Sequence, residues 1–256
     1  KKALSIDPDL TEAAINLAIA LSQRGSPNEA LDYLEGVLKR QDGDASLWNN
    51  YANTLRRVGR TEEAIRAYKK AIERDPESIT IRFNLAVLLQ ETNRLDESIE
   101  AYTQLLTIDP YHKEALYNIS VVFNQKGLYE EAISYLNRCL KIDPKDARTI
   151  NLIALVFEAA GNASAAEGCF RRAIHLRPED YSFHFNYANL LSRQKRTEEA
   201  VDEYKKVVYL APNFKEAYIQ LGNHLKLLKR YDEAVSYTHL TLPTTTLCRS
   251  RWSPYH

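Results

Sequence analysis

Asparagine recurs at one spacing through most of the chain. Members of a first row lie 34 residues apart, with one step missing before the last: Asn16, Asn50, Asn84, Asn118 and Asn186. A second row lies three residues further on in the same register: Asn53, Asn189 and Asn223. A primary amide offers a hydrogen-bond donor and an acceptor together, which matches the N–H and C=O groups of an extended peptide. The two rows therefore predict contacts to a peptide backbone that do not require a particular peptide sequence.

A second explanation of the asparagine rows stays open. Asparagine is a poorer helix former than alanine by roughly 0.6 kcal/mol, so its repeated use in a helix calls for a reason. One reason is peptide binding, and the other is descent from a single ancestral repeat whose asparagine is simply solvated. Leu152 occupies the missing step of the first row and interrupts it.

Catalytic and metal-binding patterns are not found. The histidines form no HExxH motif, and the chain has no glycine-rich phosphate loop and no GxSxG sequence. Adjacent glutamates such as Glu62 and Glu63 diverge by about 100° on a helix and so cannot act as a carboxylate pair. His184, Cys139 and Cys169 lie near apolar positions and are predicted to be buried. We therefore expect no catalytic residue, no metal site and no cofactor, and we predict that the protein is not an enzyme.

Proline follows the same spacing as asparagine. Six of the nine prolines share one 34-residue register, in which Asp42 fills the single vacant point: Pro8, Pro76, Pro110, Pro144, Pro178 and Pro212. A period of this length is typical of stacked helical repeats. We expect repeats over residues 11–44, 45–78, 79–112, 113–146, 147–180, 181–214 and, in part, 215–237. Counted from the start of each repeat, the first asparagine row lies at position 6 and the second row at position 9.

Each repeat is predicted to be a pair of helices joined by a tight turn. Positions 8 and 20 are always small, as at Ala52 and Ala64, while positions 11 and 24 are large, as at Leu55 and Tyr68. Small residues let two helices approach closely, and large residues fill the space beside them. Glycine at position 15 suits the left-handed residue that ends a helix, a pattern from which Lys195 and Lys229 depart: Gly25, Gly59, Gly127 and Gly161.

The second helix of a repeat has its own start and stop signals. Acidic residues in its first turn suit the positive end of the helix dipole, and a threonine before them is expected to act as a side-chain cap, as in Thr61-Glu62-Glu63 and Thr197-Glu198-Glu199. The register proline then prevents the helix from continuing. The predicted fold class is all-α, an α-solenoid of stacked helix-turn-helix repeats.

These positions together resemble the tetratricopeptide repeat (TPR) family over residues 1 to about 237. The resemblance rests on the small positions 8 and 20, the large positions 11 and 24, the glycine and the proline. It implies a right-handed superhelical α-solenoid of helix-turn-helix repeats, whose first helices line a concave groove that commonly holds a peptide or a partner protein. The asparagine row is similar to the one in the superhelical repeats of O-linked N-acetylglucosamine transferase. The lysine and arginine pattern of TPR domains that bind the acidic C-terminus of heat-shock chaperones is absent.

The expected role is therefore a protein-interaction scaffold that binds an extended peptide or partner protein in its groove. Alternatives are the substrate-recognition arm of a glycosyltransferase, of the O-linked N-acetylglucosamine or endoplasmic reticulum mannosyltransferase type, and a structural subunit of a large assembly. With 34 basic and 34 acidic residues the chain has no net charge to attract nucleic acid, and no direct membrane contact is expected. The expected location is cytoplasmic or nuclear, with the endoplasmic reticulum lumen as the alternative.

Other side chains near the predicted groove also have two interpretations. Arginine could pair with acidic groups of a ligand or could simply be solvated: Arg56, Arg57, Arg148 and Arg193. The aromatic residues at position 5 could form pockets for a bound peptide or could pack within the array: Phe83, Tyr117 and Phe185.

Both ends of the sequence depart from the repeat pattern. Residues 1–10 match the end of a truncated preceding repeat, which predicts that the chain is a fragment. The pattern stops near Tyr237, and residues 238–256 are rich in threonine and contain no acidic residue. We expect this last segment to be a non-native or disordered tail.

Overall fold

The computed structural model describes the backbone of residues 8–40 and 42–241. Within these ranges all regular structure is helical and no strand occurs, so the predicted all-α repeat fold is confirmed. The described helices fall into two compact units that divide between Ile142 and Asp143.

Unit 1 contains four helical hairpins. Their helices, in chain order, are α1 (Pro8–Gln23), α2 (Pro27–Arg40), α3 (Ala45–Arg57), α4 (Thr61–Arg74), α5 (Ile79–Glu91), α6 (Leu95–Ile108), α7 (Lys113–Gln125) and α8 (Tyr129–Ile142). Each odd-numbered helix packs on the even-numbered helix that follows it, and consecutive hairpins stack against each other.

Unit 2 repeats this arrangement with three hairpins. Its helices are α9 (Ala147–Ala159), α10 (Ala163–Leu176), α11 (Tyr181–Arg193), α12 (Thr197–Leu210), α13 (Lys215–Leu227) and α14 (Tyr231–Thr241). From α3 to α13, every first helix begins at position 1 of a predicted repeat, so the 34-residue period places these helices correctly.

The two ends of the array differ slightly from the expected boundaries. Helix α1 begins at Pro8, three residues before the predicted first repeat, because proline is well suited to the first helical position. Helix α14 continues to Thr241, four residues past Tyr237. The remainder of the predicted terminal segments, residues 1–7 and 242–256, lies outside the described residues.

Small residues form the crossing of the two helices in each hairpin. Ala52 on α3 and Ala64 on α4 are both 0% exposed. In the next hairpin, the Oγ of Ser98 donates a hydrogen bond to the backbone oxygen of Ala86 at 2.9 Å. Position 20 therefore lies directly against position 8, as predicted, and leaves no room for a larger side chain.

Large side chains at position 24 form the centre of each unit's core. Tyr68 and Tyr102 are fully buried in unit 1, and Phe170 and Tyr204 are buried in the same way in unit 2. Burial of one such side chain stabilises the fold by roughly 1.5–3 kcal/mol. These residues hold the two helices of each hairpin in fixed register and thereby orient the first helix.

The turn between the helices requires a left-handed residue in every hairpin. The predicted glycines have positive φ angles, for example 80° at Gly59. Asn93, Lys195 and Lys229 adopt the same conformation, with φ of 58°, 61° and 58°. The two lysines therefore depart from the glycine pattern in residue type but not in backbone geometry.

The predicted threonine cap of the second helix is wrong. Helices α4 and α12 begin at Thr61 and Thr197, and the residues in the cap position, Arg60 and Arg196, make no side-chain cap hydrogen bond. Instead, each arginine bonds the glutamate three residues later, as in the 2.7 Å bond from Nε of Arg60 to Oε1 of Glu63. The acidic first turn is therefore held by an arginine at position 16.

Candidate functional site

The first asparagine row lies on the first helices of the hairpins, as predicted. Asn50, Asn84 and Asn118 are half-buried on α3, α5 and α7 of unit 1, and Asn186 is half-buried on α11 of unit 2. Asn16, on α1, is exposed. Each half-buried asparagine is thus positioned by its helix and keeps part of its surface exposed.

Two members of the first row also bond the preceding hairpin. The Nδ2 of Asn84 donates to Oδ1 of Asn49 on α3 at 3.1 Å, and the Nδ2 of Asn186 donates to Oδ1 of Asn151 on α9 at 3.3 Å. Asn50 instead donates to the backbone oxygen of Ser46, one turn earlier on its own helix, at 2.9 Å. These bonds restrict the orientation of each amide and use one of its two donor hydrogens.

Asn118 lines an open cleft of about 520 Å³ between α5 and α7. The other lining residues are Val87, Gln90, Glu91, Asn93 and Gln125. Four of the six lining side chains are therefore primary amides. The hydroxyl of the neighbouring Tyr102 donates to Oε1 of Gln90 at 3.1 Å. Burial raises the pKa of Tyr102 because it disfavours the phenolate, although Asn118 acts in the opposite direction.

The second asparagine row supports the core tyrosines. Tyr68 donates to Oδ1 of Asn53 at 2.5 Å, and Tyr204 donates to Oδ1 of Asn189 at 2.7 Å. Burial raises the pKa of both tyrosines to about 12, so each remains a donor at neutral pH. Asn223 is exposed on α13. Asn53 and Asn189 therefore have a structural role whether or not a peptide binds.

Arginines near the asparagine rows are bound within the protein. Arg56 on α3 forms a double hydrogen bond with Glu91 on α5, with 2.8 Å between Nε and Oε2. Arg193 on α11 pairs with Glu158 on α9, and Arg57 bonds the backbone oxygen of Ser22 at 2.9 Å. These three arginines connect neighbouring first helices, and neither sequence interpretation anticipated that.

The aromatic residues at position 5 pack within their own units. The ring of Phe83 lies 6.0 Å from that of Tyr102 and 5.4 Å from that of His112. The ring of Phe185 lies 5.0 Å from that of Phe214. Tyr117 is half-buried against the core of unit 1. Of the two sequence interpretations, these contacts favour the one in which the rings are part of the core.

His184 is buried and fully hydrogen-bonded, as predicted. Its Nδ1 lies 2.6 Å from Oε2 of Glu203 and its Nε2 lies 2.9 Å from the backbone oxygen of Pro178. The bond to Glu203 raises the pKa of His184, although burial acts in the opposite direction. Cys139 is buried, and Cys169 is half-buried. The described part of the chain holds no cluster of three or more histidine, cysteine or acidic side chains able to bind a metal ion.

The structure adds residues to the candidate site that the sequence pattern did not single out. Asn49 and Asn151 at position 5 orient the first row, and Gln90 and Gln125 extend the amide lining of the cleft. At these positions the other repeats carry a mixture of aliphatic, aromatic, charged, small and amide side chains, so the 34-residue period gives no clear signal for them. None of the helices in the described ranges is both long and apolar enough to cross a membrane.

Family models for the tetratricopeptide repeat match most of the chain. One matches residues 83–147 and 151–214, another matches residues 43–110, and a third matches residues 10–41. No curated protein matches the sequence.

Solved structures of repeat proteins have the same fold. A tetratricopeptide repeat protein from Parabacteroides merdae is 22% identical, with a TM-score of 0.75 over 91% of this chain and 94% of that one. The C-terminal part of a TPR protein from Cytophaga hutchinsonii is 14% identical, with a TM-score of 0.69 over 89% of this chain and 91% of that one. YrrB, "a TPR protein with an unusual peptide-binding site", is 22% identical, with a TM-score of 0.50 over 68% and 90%.

Three observations agree with one another: the repeat period, the helical hairpins with small crossing residues, and the family models, which match more than half of the sequence. Proteins built from such repeats generally mediate protein–protein interactions and are generally not catalytic. This chain belongs to the tetratricopeptide repeat family.

Proposed function

We propose that the protein binds an extended peptide segment of a partner protein along the first asparagine row of unit 1, through Asn50, Asn84 and Asn118. The observation that carries the proposal is that these three amides are half-buried at the same position of three successive hairpins. An extended peptide presents N–H and C=O groups at regular intervals, which a row of fixed amides can bind.

Amides of both asparagine rows keep hydrogen-bonding capacity for a ligand. Within the described part of the chain, Oδ1 of Asn84 accepts no hydrogen bond, and its Nδ2 donates one bond, to Asn49. Asn53 accepts from Tyr68 through Oδ1, which leaves both Nδ2 hydrogens for carbonyl oxygens of a peptide. Asn50 and Asn84 thus supply donors and acceptors, and Asn53 supplies donors.

The cleft beside Asn118 supports the same class of ligand. Gln90 and Gln125 add two amides to the row, and Gln90 also accepts a hydrogen bond from Tyr102 at 3.1 Å through Oε1. The carboxylate of Glu91 is neutralised by its two hydrogen bonds from Arg56. The cleft therefore carries little uncompensated charge. Its chemistry favours backbone groups and uncharged polar side chains over a charged peptide terminus.

The matching asparagine residues of unit 2 are proposed to bind a peptide in the same way, along fewer helices. Asn186 and Asn189 are half-buried on α11, and Asn223 is exposed on α13. Leu152, at the first-row position of α9, is only 6% exposed. An apolar side chain replaces the amide in that hairpin, so the first row of unit 2 begins at α11.

In unit 1, Asn16 extends the proposed row to α1. Among the structural relatives, YrrB is described as having a peptide-binding site, which is the ligand class proposed for this chain.

The proposal is tested with peptides selected from a random phage-displayed library against the whole chain. Fluorescence polarisation then measures binding of a selected peptide to the wild type and to the triple variant Asn50→Ala, Asn84→Ala, Asn118→Ala. Each lost hydrogen bond contributes about 0.5–1.5 kcal/mol, so we expect affinity to fall at least about tenfold. Alternate N-methylation of the peptide backbone should weaken binding comparably, because it removes N–H donors while the side chains stay the same.

The control replaces polar residues on second helices of the same unit: Asn28→Ala, Thr103→Ala and Asn137→Ala, on α2, α6 and α8. All three are exposed and lie away from the amide cleft. This variant should bind like the wild type, and circular dichroism should give both triple variants wild-type helicity. Peptide affinity that is unchanged in the first-row variant would refute the proposed site.

A further inference from the structure

A second cleft in unit 1 lies between α2 and α4, with α3 as its floor. It has a volume of about 490 Å³, and Leu38, Trp48 and Ala67 give it an apolar base. The ring of Tyr51 meets that of Trp48 edge-on, with 5.9 Å between their centroids. This Trp48 cleft lies on a different side of α3 from Asn50, since positions 4 and 6 of a helix point about 200° apart.

The rim of the Trp48 cleft is strongly charged. Four cationic side chains and two carboxylates line it, which leaves a net charge of +2: Lys39, Arg60, Arg66, Lys70, Glu35 and Glu63. The ammonium group of Lys70 lies 4.4 Å from the centroid of the Trp48 ring. A cation over an indole face is itself favourable and keeps Lys70 beside the apolar base.

Both carboxylates of the cleft are already satisfied within the protein. Glu63 receives two hydrogen bonds from Arg60, and Glu35 accepts from Tyr51 at 3.0 Å and from Arg60 at 3.3 Å. Among the described residues, Lys39, Arg66 and Lys70 form no ion pair, and all three are exposed. The uncompensated charge of the cleft is therefore positive and is held at its rim.

The equivalent cleft of unit 2 has more carboxylates than lysine and arginine side chains in its lining. It measures about 500 Å³ and is lined by Arg171 and Lys206, by His175, and by the three carboxylates of Glu199, Asp202 and Glu203. Arg171 pairs with Glu167 and Lys206 pairs with Glu203. On α11 of unit 2, the buried His184 occupies position 4, the position that Trp48 occupies on α3 of unit 1. Repeat geometry alone therefore does not produce the cationic rim or its aromatic base.

We propose that the Trp48 cleft docks an acidic peptide segment that carries a large apolar residue. The apolar residue would rest on Trp48 and Leu38, and its acidic neighbours would pair with Lys39, Arg66 and Lys70. Each exposed ion pair contributes little by itself, so specificity requires the apolar contact and the charges together. The glutamates between the cations disfavour a uniform polyanion such as nucleic acid. This site is independent of the proposed asparagine row.

Trp48 provides a direct readout of binding. The chain has two tryptophans, so the Trp252→Phe variant leaves Trp48 as the single indole. We expect its fluorescence to change on titration with the acetylated and amidated peptide DEDEFLEDED. Affinity should fall as salt rises from about 50 mM to about 500 mM, because exposed charges are screened. Replacing Phe and Leu of the peptide by Ser should weaken binding at least about tenfold.

Charge reversal tests the residues of the rim. Arg66→Glu with Lys70→Glu should reduce affinity at least about tenfold, whereas Lys145→Glu with Lys215→Glu, an equal change of charge on exposed residues of unit 2, should leave it unchanged. Three results would overturn the proposal: no response of Trp48 to the peptide, equal binding by the rim variant, or equal binding of the peptide without Phe and Leu. Tighter binding of single-stranded DNA than of the peptide would also overturn it.

Discussion

Asn84 donates a hydrogen bond from Nδ2 to Oδ1 of Asn49, on the first helix of the preceding hairpin, at 3.1 Å. Asn186 and Asn151 repeat this relationship in unit 2 at 3.3 Å. A side chain at position 5 of one repeat therefore orients the first-row asparagine of the next. Where position 5 is Phe83 or Phe185, the ring packs into the core and no such bond forms.

A double-mutant cycle measures the bond between Asn49 and Asn84. We expect the two substitutions to alanine to show a coupling of about 0.5–1 kcal/mol in urea unfolding, since each single variant already removes the bond. The cycle between Asn49 and Asn118 serves as the control and should be additive, because these residues are not in contact. Additivity of Asn49 with Asn84 would contradict the bond as an energetic link.

The hairpin crossing predicts a large effect of side-chain size. Ala64 is 0% exposed and lies against α3, so Ala64→Leu should lower the free energy of unfolding by about 1–3 kcal/mol through overpacking. Ala13→Leu, at an exposed position of α1, is the matched control and should change stability little. Thermal melting of both variants makes the comparison. An equal melting temperature for Ala64→Leu and the wild type would mean that the crossing tolerates larger residues.

The sequence predicts well what recurs every 34 residues. Position 8 lies against position 20, position 24 fills the core, and position 15 is left-handed, because each depends on contacts within one hairpin. The period cannot predict contacts whose partners change from repeat to repeat. Among the described residues, the bond of Asn49 to Asn84 recurs only between Asn151 and Asn186, and the equivalent cleft of unit 2 lacks the cationic rim found beside Trp48. Peptide binding by the asparagine rows stays a prediction.

Lys195 adopts a left-handed conformation that favours glycine. Its φ is 61°, and its N–H donates to the backbone oxygen of Ser192 at 2.9 Å, so the turn holds it there. Lys195→Gly removes the steric cost of Cβ and should raise the free energy of unfolding by about 1 kcal/mol. Gln194→Gly, at the preceding residue with φ of −77°, should instead destabilise the protein. Urea unfolding of the two variants distinguishes these signs, and destabilisation by Lys195→Gly would disprove the expected strain.

The pair of His184 and Glu203 predicts how the stability of unit 2 depends on pH. Both ring nitrogens of His184 face acceptors, so the protonated ring is favoured and its folded pKa lies above the ordinary value near 6.5. The folded state therefore binds this proton more tightly than the unfolded state. Its stabilisation is fully present below about pH 6.5 and is lost as pH rises through the raised pKa.

Glu203 acts in the opposite direction at lower pH. Burial alone would raise the pKa of Glu203, but hydrogen bonds from His184 and Lys206 lower it below the usual 4.5. Its contribution is present above that value and is lost as pH falls through the lowered pKa. We expect the melting temperature of the wild type to exceed that of His184→Gln most between these two limits, and the difference to shrink above about pH 6.5. If the difference in melting temperature between the two proteins stayed constant from about pH 5 to about pH 9, the pair would not control the pH dependence of stability.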